Sequence, residues 1–164
     1  MRHSPHLQLH FFMKKFAKKV IVGGTFDFLH AGHRALLSGA FPLGEVTIGL
    51  VSDEMAKNLK NREVGNYKDR KKELENWIEK EWKKARIIEI NDKFGPTLRE
   101  DFDYIVVSPE TYDTAVMINR ERQKLNKKPM EIVKIDFILA QDGKPISSTR
   151  IFNGEINREG KLLK

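Results

Sequence analysis

Short runs rich in Val and Ile recur along the chain, separated by longer amphipathic stretches, and this alternation constrains the fold more than any other feature. The runs are Val20-Ile21-Val22, Val46 to Val51, Ile87 to Ile90, Tyr104 to Val107 and Ile132 to Ile138. At their densest most are nearly all apolar, as parallel strands covered on both faces must be. Between them, Leu36, Leu37, Ala40 and Phe41 form one helical stripe, and Leu74, Ile78 and Trp82 form another at spacing four. Trp77 and Trp82 are expected to pack rather than to stack on a base. Ser108-Pro109-Glu110 announces a third helix, with Ser108 as N-cap and Pro109 in the first helical position. The pattern predicts an α/β fold: a Rossmann-like, open, parallel five-stranded sheet with helices on both faces and right-handed crossovers. The closing stretch, Ser147 to Leu163, is interrupted by Gly154 and Gly160 and predicts two short helices.

A length of 164 residues suits one domain. Residues 14–164 are expected to form it, with 1–13, which carry His3, His6 and His10, as a disordered extension. The chain has no cysteine, which excludes disulfide scaffolds, thiolate metal sites and cysteine nucleophiles and suits a reducing cytoplasm. No apolar run approaches the roughly 20 residues of a membrane span, so no membrane partner is expected. With no large exposed apolar surface evident, a monomer is the default. The net charge of +7 would suit nucleic acid, an anionic membrane surface or a small polyanion such as ATP. Charge alone favours a basic nucleic-acid-binding domain as the reading from another class. The regular aromatic and basic interleaving of a single-strand reader is missing, and no nucleic-acid partner is expected.

The first strand runs into Gly23-Gly24-Thr25-Phe26-Asp27-Phe28-Leu29-His30-Ala31-Gly32-His33, and a helix follows directly. Ligands of open α/β sheets bind beyond the carboxyl ends of the strands, where this segment falls. Glycines let backbone approach a phosphate, and the helix start supplies unpaired N–H groups and a positive dipole end. His30 and His33 would point the same way, each offering one N–H to phosphate oxygens. As a metal half-site they lack a carboxylate or cysteine at a helpful spacing, so no metal ligands are assigned. Near the C-terminus, Ser147 can cap a helix while Ser148, Thr149 and exposed amides form a second polar cradle. The connector Met55 to Lys72 is strongly basic, which fits either a solvated face or an anion-closing loop.

The segment GGTFDFLHAGH resembles the H-x-G-H nucleotidyltransferases, whose signature stands here as His30-Ala31-Gly32-His33. The second signature of that family stands as Ile146-Ser147-Ser148-Thr149-Arg150. The run from Ile146 to Gly160, with Ser108-Pro109-Glu110-Thr111, is similar to the phosphopantetheine adenylyltransferases of archaeal and eukaryotic type, and the resemblance extends from Lys14 onward. It implies transfer of AMP from ATP to 4′-phosphopantetheine, by in-line attack on the α-phosphorus without a covalent intermediate and with Mg²⁺ bridging triphosphate oxygens. It also implies His30, His33 and a connector lysine, Lys57 ahead of Lys60, as catalytic residues. Gly23, Gly24, Thr25, Phe26, Asp27, Gly32, Ser108, Ser147, Ser148, Thr149 and Arg150 would bind the substrates. Ser108 to Thr111 would border the adenosine, and Phe94 to Thr97 would be either an acceptor wall or a plain turn. The alternatives within the superfamily are adenylyl transfer to nicotinamide mononucleotide or flavin mononucleotide, and cytidylyl transfer. The residues preceding Ile146 are Asp142-Gly143-Lys144-Pro145, not the Arg-Thr-Glu-Gly run usual in cytidylyltransferases, which argues against CTP.

Overall fold

The computed structural model describes residues 5, 6, 8, 9 and 16–164. Strands β1 (Lys19–Gly24), β2 (Glu45–Val51), β3 (Ala85–Ile90), β4 (Tyr104–Val107) and β5 (Glu131–Lys134) form one sheet in the order β3-β2-β1-β4-β5. Every pairing is parallel. The connections hold helices α1 (Ala31–Ala40), α2 (Asp53–Leu59), α3 (Tyr67–Lys80) and α4 (Tyr112–Lys124), and α5 (Ser148–Phe152) follows the last strand.

Successive side chains of a strand point to opposite faces, and β1 shows why both faces had to be apolar. Val20 and Val22 join Leu37, Ala40, Leu74 and Ile78 in one core, whereas Ile21 joins Ile105, Ala115 and Ile118 in another. Helices α1 and α3 therefore supply one layer and α4 the other. Strand order reverses between β1 and β4, so the crevice of the sheet opens at their carboxyl ends.

Four expectations are corrected by local physics. Strand β5 ends at Lys134 and does not reach Ile138, because its neighbour β4 ends at Val107. The amide of Ile135 bonds the Val107 carbonyl at 2.8 Å, and beyond it Phe137 and Ile138 are exposed. Ser108 is not a helix cap: its carbonyl accepts the Thr111 N–H at 3.1 Å, closing a turn that delays α4 until Tyr112. The tail after α5 is not a second helix. Gly154 (φ 70°) and Gly160 (φ 83°) take left-handed conformations that a helix cannot hold, and Ile156 and Leu162 pair as an antiparallel bridge.

Trp77 is partly buried, its ring 6.4 Å from that of Phe41, but Trp82 is 94% exposed. The spacing-four stripe ends at Ile78 because α3 stops first. Trp82 N–H bonds the Glu79 carbonyl and Lys83 N–H the Ile78 carbonyl, at 3.0 and 3.1 Å. This double closure is a Schellman motif, with Trp82 at its left-handed position (φ 54°).

Among the described residues no helix is long and apolar enough to cross a membrane. The expectation for 1–13 falls outside the described residues, apart from Pro5, His6, Gln8 and Leu9, which are helical and exposed.

Replacing Trp82 by Gly should stabilise the protein by about 0.5–1 kcal/mol, since glycine accepts this conformation and no packing is lost. Thermal unfolding checks this: a midpoint raised by roughly 1–4 °C is expected. A lowered midpoint would show that the indole packs after all.

Candidate active site

The entrance to α1 is built from its two histidines. His30 is the N-cap, and its Nδ1 accepts the backbone N–H of Gly32 at 3.1 Å and of His33 at 3.3 Å. In return, Nδ1 of His33 accepts the backbone N–H of His30 at 3.3 Å. The His-x-x-His spacing is thus a reciprocal capping box, with imidazoles where Ser and Glu usually stand. The rings stack at 3.6 Å with 19° between their planes. Because both Nδ1 atoms are acceptors, each neutral ring carries its proton on Nε2, which remains as donor for a ligand. Burial lowers the His30 pKa to about 4, with the nearby cations Arg34, Arg158 and Lys60 adding to the effect. His33 is lowered well below the usual value by burial first, then by His30 and Lys60. Gly32 belongs to the same device, since a Cβ there would lie 3.0 Å from Cε1 of His30.

The preceding turn is contorted. Phe26 (φ 49°) and Phe28 (φ 48°) are both left-handed, a conformation that bulky residues rarely adopt without support. Phe26 is buried with its ring 5.2 Å from that of His33, and Gly24 leaves room for it. Asp27, also buried, accepts from Arg62 at 2.6 Å and from the Gly65 N–H at 3.2 Å. Arg62 continues to the second cradle, donating to Ser148 Oγ at 2.8 Å and Thr149 Oγ1 at 3.3 Å. One guanidinium therefore joins two segments that are distant in sequence. Arg70, 2% exposed, braces the same turn by donating to the Thr25 and Gly65 carbonyls at 2.8 and 2.7 Å.

Two adjoining cavities open at the switch point. One, of about 340 Å³, is lined by His30, Gly32, Ser147, Ser148, Thr149 and residues 135–138. The other, of about 390 Å³, is lined by Gly23, Gly24 and Thr25 together with apolar Met55, Leu59, Ile90 and Ile118. His33, Leu36, Lys60, Ser108, Glu110 and Ser148 border both.

Several residues expected to bind substrate line neither cavity. Phe26 is a buried wedge, and the carboxylate of Asp27 is occupied by Arg62 and Gly65. Arg150 donates to Asp142 (2.5 Å), Glu155 (2.9 Å) and the Pro145 carbonyl (3.0 Å), bracing the loop in front of α5. Lys57 is exposed on α2, whereas Lys60, the first residue beyond that helix, is extended (φ −123°, ψ 135°) and reaches the seam of the cavities. Ser147 caps α5, accepting the Arg150 N–H at 3.2 Å, as expected. The segment Phe94 to Thr97 is a turn, its Thr97 N–H bonded to the Phe94 carbonyl at 3.0 Å. Sequence reasoning missed Arg62 and Arg70. The one signal was a charge-dense connector, which does not distinguish an internal strut from a solvated cation.

A doubly wound parallel sheet with two polar helix entrances at its switch point defines a nucleotidyltransferase-like domain, and the profile of the cytidylyltransferase-like family matches residues 21–154. Two archaeal relatives narrow the class. The phosphopantetheine adenylyltransferase of Methanosarcina acetivorans is 51% identical over 150 residues, 88% of this chain and 95% of that protein. That of Archaeoglobus fulgidus is 44% identical over 148 residues, covering 88% and 99%. The chain belongs to the phosphopantetheine adenylyltransferase family. A crystal structure of an A. fulgidus protein of unknown function, 40% identical, superposes with a TM-score of 0.69 over 72% of this chain and 89% of that one.

Both imidazoles bind protons more weakly in the folded protein than in the unfolded chain, so acid favours unfolding. The stability they contribute is complete above pH 6.5 and is lost as pH falls through the value near 4 of His30. The unfolding midpoint should fall between pH 6.5 and 4, and His30→Asn, which keeps a capping oxygen that does not titrate, should flatten the decline. Parallel profiles for the two proteins in thermal melts would contradict this.

Proposed function

We propose that this chain transfers AMP from ATP to 4′-phosphopantetheine, giving dephospho-coenzyme A and pyrophosphate, a step of coenzyme A biosynthesis. The observation that carries the reading is the pair of cavities that meet at a shared border holding the donors His33, Lys60, Ser108 and Ser148, one cavity polar and one with an apolar wall. Family membership supports it, as do the archaeal relatives named phosphopantetheine adenylyltransferase.

The polar cavity would take ATP. The Nε2–H donors of His30 and His33 would hold triphosphate oxygens, joined by the hydroxyls of Ser148 and Thr149 and the backbone amides at the entrance of α5. Gly32 and Ser147 would serve there by shaping those entrances. Residues 135–138, released from the sheet, and Ser108 would border the adenosine. In the other cavity Gly23, Gly24 and Thr25 would orient the acceptor phosphate, and Met55, Leu59 and Ile118 would line the path of the pantetheine arm.

A phosphate oxygen of the acceptor would then attack the α-phosphorus in line, and the bond to the bridging oxygen would break to release pyrophosphate. Such a reaction asks the protein to position two anions and to offset charge, not to form a covalent bond. Lys60 and His33, which border both cavities, would do so for both substrates. Among the described residues no cluster of three or more His, Asp or Glu could hold a metal ion. Mg²⁺ would arrive on the triphosphate oxygens as part of the substrate. The catalytic unit in this reading is one copy of residues 14–164, working as a monomer in the cytoplasm.

The test is pyrophosphate release with ATP or CTP against a panel of phosphorylated acceptors. Release is expected with ATP and 4′-phosphopantetheine. Preference for CTP, for nicotinamide mononucleotide or for flavin mononucleotide would replace this assignment with another of the superfamily. In the same assay His33→Ala should lose about a hundred- to a thousandfold in turnover. Lys60→Ala should fall steeply while Lys57→Ala stays near wild type, and the reverse order would refute the placement of the lysines.

A further inference from the structure

We propose that Arg62 is a positioning residue for the nucleotide: it fixes the hydroxyls of Ser148 and Thr149 as hydrogen donors aimed into the polar cavity. The inference rests on the reading of that cavity as the ATP site.

A hydroxyl has one hydrogen and two lone pairs, whereas a guanidinium can only donate. Where Arg62 meets Ser148 Oγ at 2.8 Å and Thr149 Oγ1 at 3.3 Å, each hydroxyl oxygen must be the acceptor. Its own hydrogen is thereby turned away from Arg62. Ser148 and Thr149 both line the polar cavity, so the freed hydrogens have phosphate oxygens as their natural partners there. Arg62 lines neither cavity, and its charge is paired with Asp27 at 2.6 Å, so it acts through the hydroxyls and not as a direct ligand. Its side chain is 7% exposed, and it lies over the rings of Phe28 and Phe152 at 5.8 and 5.1 Å, which hold the guanidinium in place. It also donates to the Glu63 carbonyl at 2.8 Å, so its fork is used on every side. Lysine would keep the charge opposite Asp27 but could not direct separate N–H groups at two hydroxyls.

The experiment is calorimetric binding of ATP, and separately of 4′-phosphopantetheine, to the full chain. Arg62→Lys is expected to weaken ATP binding about tenfold while leaving the acceptor within about twofold. The S148A/T149V double variant should weaken ATP binding to a similar degree, and adding R62K to it should cause no further loss. A general structural role would instead weaken both ligands together, or multiply the losses in the triple variant, and either result overturns the proposal. If R62K does not fold, S148A/T149V alone decides: unchanged ATP affinity refutes the role of the hydroxyls. Failure of the proposed function is separately visible, as a wild type that binds ATP yet adenylylates no 4′-phosphopantetheine.

Discussion

The buried ion pair of Asp27 and Arg62 is the contact on which the geometry of this site depends. Its partners are 2.6 Å apart with side chains 5% and 7% exposed, a setting in which desolvation offsets much of the attraction unless other bonds satisfy both ions. Here they do: Asp27 also takes the Gly65 amide, and Arg62 also serves two hydroxyls and a carbonyl. Removing one member of such a pair costs about 3–5 kcal/mol, because the other is left buried and unmatched. The pair ties down the turn in which Phe26 and Phe28 sit at left-handed φ, a conformation that costs roughly 1–3 kcal/mol at each residue. The same pair fixes the connector between α2 and α3 against the entrance of α5. It thus sets the distance between the two cradles that a triphosphate would have to span.

The histidines depend on that turn in their own way. Phe26, held left-handed, packs against His33, and the stacked imidazoles use their Nδ1 atoms on backbone amides that a helix start otherwise leaves unpaired. One arrangement therefore settles the helix entrance, the ring tautomers and the direction of the remaining N–H groups. Donors fixed in advance need little reorganisation when charge develops, which is where electrostatic catalysis gains most. A protonated His30 would lose both the cap and the acceptor, and burial works against that state.

The sheet was legible in the sequence because burial on both faces leaves no choice of residue type: Val20, Ile21 and Val22 are all required to be apolar. The two polar helix entrances were legible as well, because both interrupt the apolar runs with histidines or hydroxyls. What escaped was long-range. Arg62 and Arg70 stand in a run of charges, and only the fold reveals that both turn inward to meet carbonyls and a carboxylate. The choice between Lys57 and Lys60 turned on where α2 ends: the helix leaves Lys57 exposed, whereas the extended Lys60 just beyond it borders both cavities. Ser108 illustrates the converse. Its type and its proline neighbour fit a cap, but the turn it closes with Thr111 uses the same carbonyl and starts the helix later.

On the proposed reading, the residues common to both cavities are the ones that would meet both substrates at once. Of their contacts, only those that strengthen as the bonds to phosphorus change would accelerate transfer, whereas those that stay equal would improve affinity alone. The seam of the cavities holds a cation in Lys60, a neutral donor in His33, two hydroxyls in Ser108 and Ser148, and a carboxylate in Glu110. The carboxylate is the odd member, because a negative charge beside two phosphates opposes their binding. Lys60 at the same seam offsets that repulsion. The formal charges of Lys60 and Glu110 cancel, which would leave the neutral donors of His33, Ser108 and Ser148 to meet an entering phosphate.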